Sequence, residues 1–110
     1  MKILETKIRA WHEKRFGPRV NLSATYRKLL EEVGELGEAL INQNQCSIRE
    51  EAGDVALVLC HILRGGCPAQ PELHKAMAEA LEKCEWRMAR GDALQPGGKH
   101  KAAPRQERKS

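Results

Sequence analysis

The chain has 110 residues, 41% hydrophobic content, only four aromatic side chains and a formal net charge of +4. That is one small domain with an aliphatic rather than aromatic core, and the near absence of period-2 alternation excludes a sheet of consequence. No apolar run approaches the eighteen or so residues of a membrane span, and the N-terminus is too charged for a signal peptide, so a soluble, cytoplasmic protein with no membrane partner is expected.

Residues 2–15 are predicted as the first helix. Ile3, Leu4, Ile8 and Trp11 recur at helical spacing, and Gly17-Pro18 ends the run. Trp11 in this position is read as a core or interface anchor, and His12 as a surface residue. Arg9, Lys14, Arg15 and Arg19 make this end a solvated basic face, also able to steer a polyanion inward. The second helix is expected to begin with Ser23 as its cap and to run to about Asn42. Tyr26, Leu29, Leu30, Val33, Leu36 and Leu40 fall on one side of it. Gly34 and Gly37 each cost roughly 1 kcal/mol of helix propensity relative to alanine, which suggests that a neighbouring backbone or a ligand comes close there.

The third helix starts at a capping box, Ser47-Ile48-Arg49-Glu50, and continues through Leu63 to stop at Gly65-Gly66. Ile48, Ala52, Val55, Leu59 and Ile62 make its stripe, and Leu57 is apolar on the opposite side. Such a helix belongs at the centre, packed within the subunit and against a second copy. The fourth helix opens at Pro71 and carries Leu73, Met77, Leu81 and Cys84 on one face, ending near Gly91. Lys83, Trp86, Arg87 and Arg90 cluster at its end, where cations favour a helix C-terminus. Cys46, Cys60, Cys67 and Cys84 show no metal-ligand rhythm. A zinc site at Cys60, His61 and Cys67 lacks a fourth ligand, so the cysteines are read mainly as small, reduced, buried hydrophobes. From Asp92 the composition turns to Gly, Pro, Lys, Arg and Gln. Residues 1–91 are therefore expected to be an all-α domain, and 92–110 a disordered basic tail holding +3 of the net charge.

Carboxylates stand out against this frame. Glu32 and Glu35 lie about 60° apart beside the second helix's apolar stripe, and Glu51 falls almost inside the third helix's stripe with Asp54 one turn on. Packing the two stripes together gathers Glu32, Glu35, Glu51 and Asp54 at one edge of the seam. Four such groups cannot all stay ionised without a compensating charge, and hard oxygen ligands suit Mg²⁺. Glu31, Glu38 and Glu50 are read as ordinary solvated surface.

Glu31-Glu32-x-x-Glu35 followed by Glu51-x-x-Asp54 resembles the EExxE and ExxD motifs of the MazG-like, all-α nucleoside triphosphate pyrophosphohydrolases. Trp11, Phe16, Pro18 and Asn21-Leu22, leading into Glu32-Val33-Gly34-Glu35-Leu36-Gly37-Glu38, are similar to the corresponding run of the dCTP pyrophosphatase-like branch. The likeness covers roughly residues 8 to 60. It implies a four-helix MazG-like bundle, completed as a homodimer or homotetramer, and Mg²⁺-dependent (or Mn²⁺-dependent) hydrolysis of a nucleoside triphosphate to monophosphate and pyrophosphate. It further implies Glu32, Glu35, Glu51 and Asp54 as metal ligands, which leaves a spare carboxylate, Glu31 or Glu38, to accept the water's proton; Glu31 is the poorer choice because it points about 100° away from Glu32. Trp11, Phe16 and Asn21 would contact the substrate. Lys83, Arg87 and Arg90 would contact its phosphates, although Arg87 stands where the family pattern has an asparagine.

Three other readings remain open on sequence alone. One is an enzyme like the phosphoribosyl-ATP pyrophosphohydrolases, which share the acidic helices. Another is a small helical dimer binding nucleic acid through its basic tail, at odds with an acidic seam that repels phosphate. The third is a metal-binding assembly protein without catalysis.

Overall fold

A computed structural model describes residues 2–91 as four helices. These are α1 (Lys2–Phe16), α2 (Leu22–Asn42), α3 (Gln45–Gly66) and α4 (Leu73–Ala89), and no strand occurs among the described residues. The expected disordered tail, 92–110, lies outside the described residues. The chain divides into two compact units, one reaching His74 and the other beginning at Lys75.

Local chemistry sets the helix ends, not always at the expected residue. Gly17 takes φ +83°, a left-handed conformation that suits glycine, and closes α1 through its amide to the Glu13 carbonyl at 2.8 Å. Asn21, not Ser23, caps α2: its side chain accepts the Ala24 amide at 3.0 Å. Asn44, not Ser47, caps α3, and Ser47 donates its own amide to that cap at 3.1 Å. The connection between α2 and α3 is therefore only Gln43 and Asn44, with Gln43 left-handed at φ 54°.

Within the first unit α3 packs along α2 and, less extensively, against α1. The side chains facing inward are unexpected. On α1 they are Glu5 and His12, and on α2 they are Thr25, Glu32 and Ala39, each seven residues from the last. Residues seven apart are two helical turns along one line, so each line is the contact face. The predicted stripes lie beside these lines: Leu29 and Leu36 of α2, and Ile48, Val55, Leu59 and Ile62 of α3, are half-buried, while part of the α2 stripe stays open. Tyr26, Leu30, Val33 and Leu40 are all exposed, as are Leu4 and Ile3, the latter at 79%. Ala39 is the sole buried hydrophobic residue among those described. Gly34 and Gly37 have open space where a side chain would project, so the expected close approach does not occur among the described residues. Cys46, Cys67 and Cys84 are exposed and Cys60 half-buried, which corrects their reading as core hydrophobes.

Two contacts close the unit. α4 starts at Leu73, two residues later than expected, and its first turn is capped from α1. The buried Glu5 carboxylate accepts the amides of Leu73 (2.5 Å) and His74 (2.9 Å) and meets the His74 ring at 2.6 Å. The second contact sets Gly65 of α3 against Val20 in the α1–α2 connection, where a Cβ would overlap the Val20 side chain. Gly65→Ala is thus expected to cost about 1–3 kcal/mol, the usual penalty of overpacking. Gly66→Ala meets only the Leu22 side chain at 3.9 Å and should be neutral or slightly stabilising. Parallel thermal melts of the two variants check this.

Candidate active site

α2 and α3 bring three of the four expected ligands together. Carboxylate oxygens of Glu32, Glu35 and Glu51 lie within 4.8 Å of one another. Glu32 is buried, Glu51 half-buried and Glu35 exposed, so the cluster grades from the helix seam to the surface. Lys28 holds one Glu32 oxygen at 3.1 Å, while the other, Oε1, is buried without a hydrogen-bond partner, as is Oε1 of Glu51. The Glu51 carboxyl is pushed above its ordinary range. Lost hydration is the main cause, followed by the hydrogen bond and charge of Glu35, then the charges of Asp54 and Glu32. Two desolvated oxygens without donors, inside a like-charged cluster, are what a hard divalent cation would satisfy. A span of about 4–5 Å matches oxygens on opposite sides of such an ion. The residues fit.

Asp54 stands outside that group but lines a cavity of about 620 Å³ shared with Glu32. Lys28, Arg15 and Arg19 share its wall with the two carboxylates and with the aromatic and apolar side chains of Trp11, His12, Phe16, Leu57, Val58 and His61. Trp11 is 50% exposed, which sets aside the core-anchor reading. It meets Phe16 edge to face at 6.3 Å between centroids, and Arg15 lies 5.4 Å from the Phe16 ring. Asn21 lines the cavity as well as capping α2.

His12 is 4% exposed, contrary to its expected place on the surface, and it packs against His61 with ring centroids 4.5 Å apart. Burial first, then the charges of His61 and Arg64, depresses His12 to about 4; burial and Arg64 also lower His61. Both shifts favour the neutral imidazole. Neither was singled out for this role from sequence, yet a signal was present. His12 is seven residues from Glu5, and His61 seven from Asp54, so each lies two turns along a helix line that already carried an acid.

The remaining expected residues fall elsewhere. Glu31 is exposed and paired with Lys28 at 3.6 Å, Glu38 is exposed, and neither lines the cavity. Lys83, Arg87 and Arg90 lie on and just after α4 in the second unit, where the Arg90 guanidinium sits 4.1 Å over the Trp86 ring.

Among the described residues the fold is all-helical, and a carboxylate cluster lies between α2 and α3, with Glu32 and Asp54 reaching an aromatic-walled cavity. The family model described as the MazG nucleotide pyrophosphohydrolase domain matches residues 21–90, and the chain belongs to that family. Neither a curated protein nor a solved structure gives a match.

Proposed function

We propose that this chain is a Mg²⁺-dependent nucleoside triphosphate pyrophosphohydrolase, releasing pyrophosphate and a nucleoside monophosphate. The observation that carries the reading is the pair of buried, unpartnered oxygens on Glu32 and Glu51, with Glu32 also lining a cavity of nucleotide size. Glu32, Glu35 and Glu51 would hold the ion, with Asp54 closing in as a fourth ligand or serving as proton acceptor. When bound, the ion neutralises phosphate charge and acidifies a water for in-line attack. Arg15, Arg19 and Lys28 draw the polyphosphate toward the carboxylates, and the aromatic side chains stack the base. Asp54 lines the cavity and is better placed than Glu31 or Glu38 to take the water's proton. The same site suits housecleaning of nucleotide pools. The test is pyrophosphate release from a panel of nucleotides. Release with Mg²⁺ that stops on chelation supports the reading, and no release from any nucleotide would overturn it.

The functional unit is proposed to be a homodimer or homotetramer. Its support is the open apolar sector of α2 (Tyr26, Leu30, Val33, Leu40), with Ile41 at 80% exposure, beside glycines that leave room for a partner. Leu30→Arg is expected to shift the species seen by light scattering toward monomer; an unchanged mass would place the interface elsewhere. No helix among the described residues is long and apolar enough to cross a membrane.

A further inference from the structure

Two histidines among the aromatic side chains lining the cavity have no part in the chemistry above. His12 and His61 are each at least nine-tenths buried, both line the cavity, and neither ring hydrogen-bonds to the protein. Burying polar rings without partners is unfavourable, which makes them candidates for ligand recognition.

The burial also sets their tautomers. In each ring Nδ1 is sealed from solvent and unpartnered, and both residues line the cavity, so a ligand there can reach only Nε2. A sealed N–H without an acceptor is costlier than a sealed lone pair without a donor. The single proton of each neutral imidazole therefore belongs on Nε2. Arg64, whose charge bears on both rings, works against a second proton on either. With centroids 4.5 Å apart and planes inclined by 32°, the two rings present a pair of N–H donors and no acceptor.

We infer that His12 and His61 read the nucleobase, selecting a base whose edge offers two adjacent acceptors, a keto oxygen beside an unprotonated ring nitrogen. Guanine offers O6 and N7, and cytosine offers O2 and N3. Adenine has no keto oxygen and sets an amino donor beside N1 and N7, and thymine and uracil carry a proton on the ring nitrogen between their oxygens. Trp11 and Phe16, on the same wall, supply stacking that every base can use, so discrimination falls to the histidines. This inference rests on the nucleotide reading of the cavity.

The test measures binding, so that it does not depend on turnover. The four common deoxynucleoside triphosphates, with the α–β bridging oxygen replaced by methylene, are titrated calorimetrically into the full chain with Mg²⁺. Guanine and cytosine nucleotides are expected to bind about tenfold or more tightly than adenine and thymine nucleotides. His61→Phe and His12→Phe keep a ring and remove the donor, and should bring the ratio toward one. His61→Gln restores a donor near the Nε2 position and should recover most of it. A preference unchanged in folded Phe variants, or a parent that favours adenine, would overturn the inference. Nitrogen-15 NMR of histidine-labelled parent gives an independent check: both rings should be neutral Nε2–H tautomers at pH 7, and an Nδ1–H or charged ring would overturn it. Selective binding that depends on the histidines, without turnover of the natural nucleotides, would leave this inference standing and refute the enzyme reading alone.

Discussion

Glu51→Gln is expected to lower kcat/KM for nucleotide hydrolysis by about 10²–10³-fold or more, the loss typical of removing one group that organises charge at a reacting centre. It should do so without harming the metal-free fold. Glu51 sits half-buried among Glu32, Glu35 and Asp54, and its carboxyl is raised above the ordinary range. An acid whose folded-state value is raised contributes stability below its unfolded value near 4.5, and loses it as pH rises through the folded value. At neutral pH the unliganded cluster is thus a net cost, and glutamine removes one of its charges while keeping size and hydrogen-bonding capacity. Melting of the variant without metal should match or exceed the parent. An unfolded variant would show instead that Glu51 belongs to the packing.

The largest stability effect is expected at Glu5. Replacing it with alanine leaves the Leu73 and His74 amides and the His74 ring without their shared acceptor. Bonds to a charged, buried acceptor are worth more than neutral ones, so the loss should be roughly 2–4 kcal/mol. Burial pushes the Glu5 carboxyl up, but the hydrogen bonds from His74 and Leu73 and the His74 charge outweigh it and leave it lowered. A lowered acid contributes stability above its unfolded value near 4.5, and that stability fades as pH falls through the folded value. The parent should therefore lose its margin over Glu5→Ala in acid. Chemical denaturation of both at pH 7 and pH 3 measures this, and an equal margin at the two pH values would rule out the carboxylate's role.

Much of this was readable in the residues, and the rest failed for identifiable reasons. All four helices follow from their periodicity, and the Glu32, Glu35, Glu51 cluster follows from helix-neighbour spacing on two helices that must pack. The caps shifted because Asn and Ser are near equivalent in that role, so the residue type at Ser23 and Ser47 could not exclude Asn21 and Asn44. The buried faces were misread because periodicity locates an apolar stripe without saying what covers it. Tyr26, Leu30, Val33 and Leu40 satisfy the helical period and remain open, while the seam is closed by Thr25, Glu32 and Ala39. Glu5 and His12 were hidden by the same rule, since buried polar residues carry no hydrophobic signal. Arg15 and Arg19 were noticed as charge, but their position on the cavity wall needed the turn at Gly17.

The metal site is tested most directly by thermal melting of the full chain at neutral pH with and without millimolar Mg²⁺. The ion binds the gathered carboxylates of the folded chain and has no comparable site in the unfolded one. At a hundred times its dissociation constant it should add about 2.7 kcal/mol. For a domain of this size that is a rise of about 10 °C or more. Glu51→Gln should gain markedly less. A parent that melts at the same temperature in chelator and in millimolar Mg²⁺ would contradict the assignment of Glu32, Glu35 and Glu51 as a metal site.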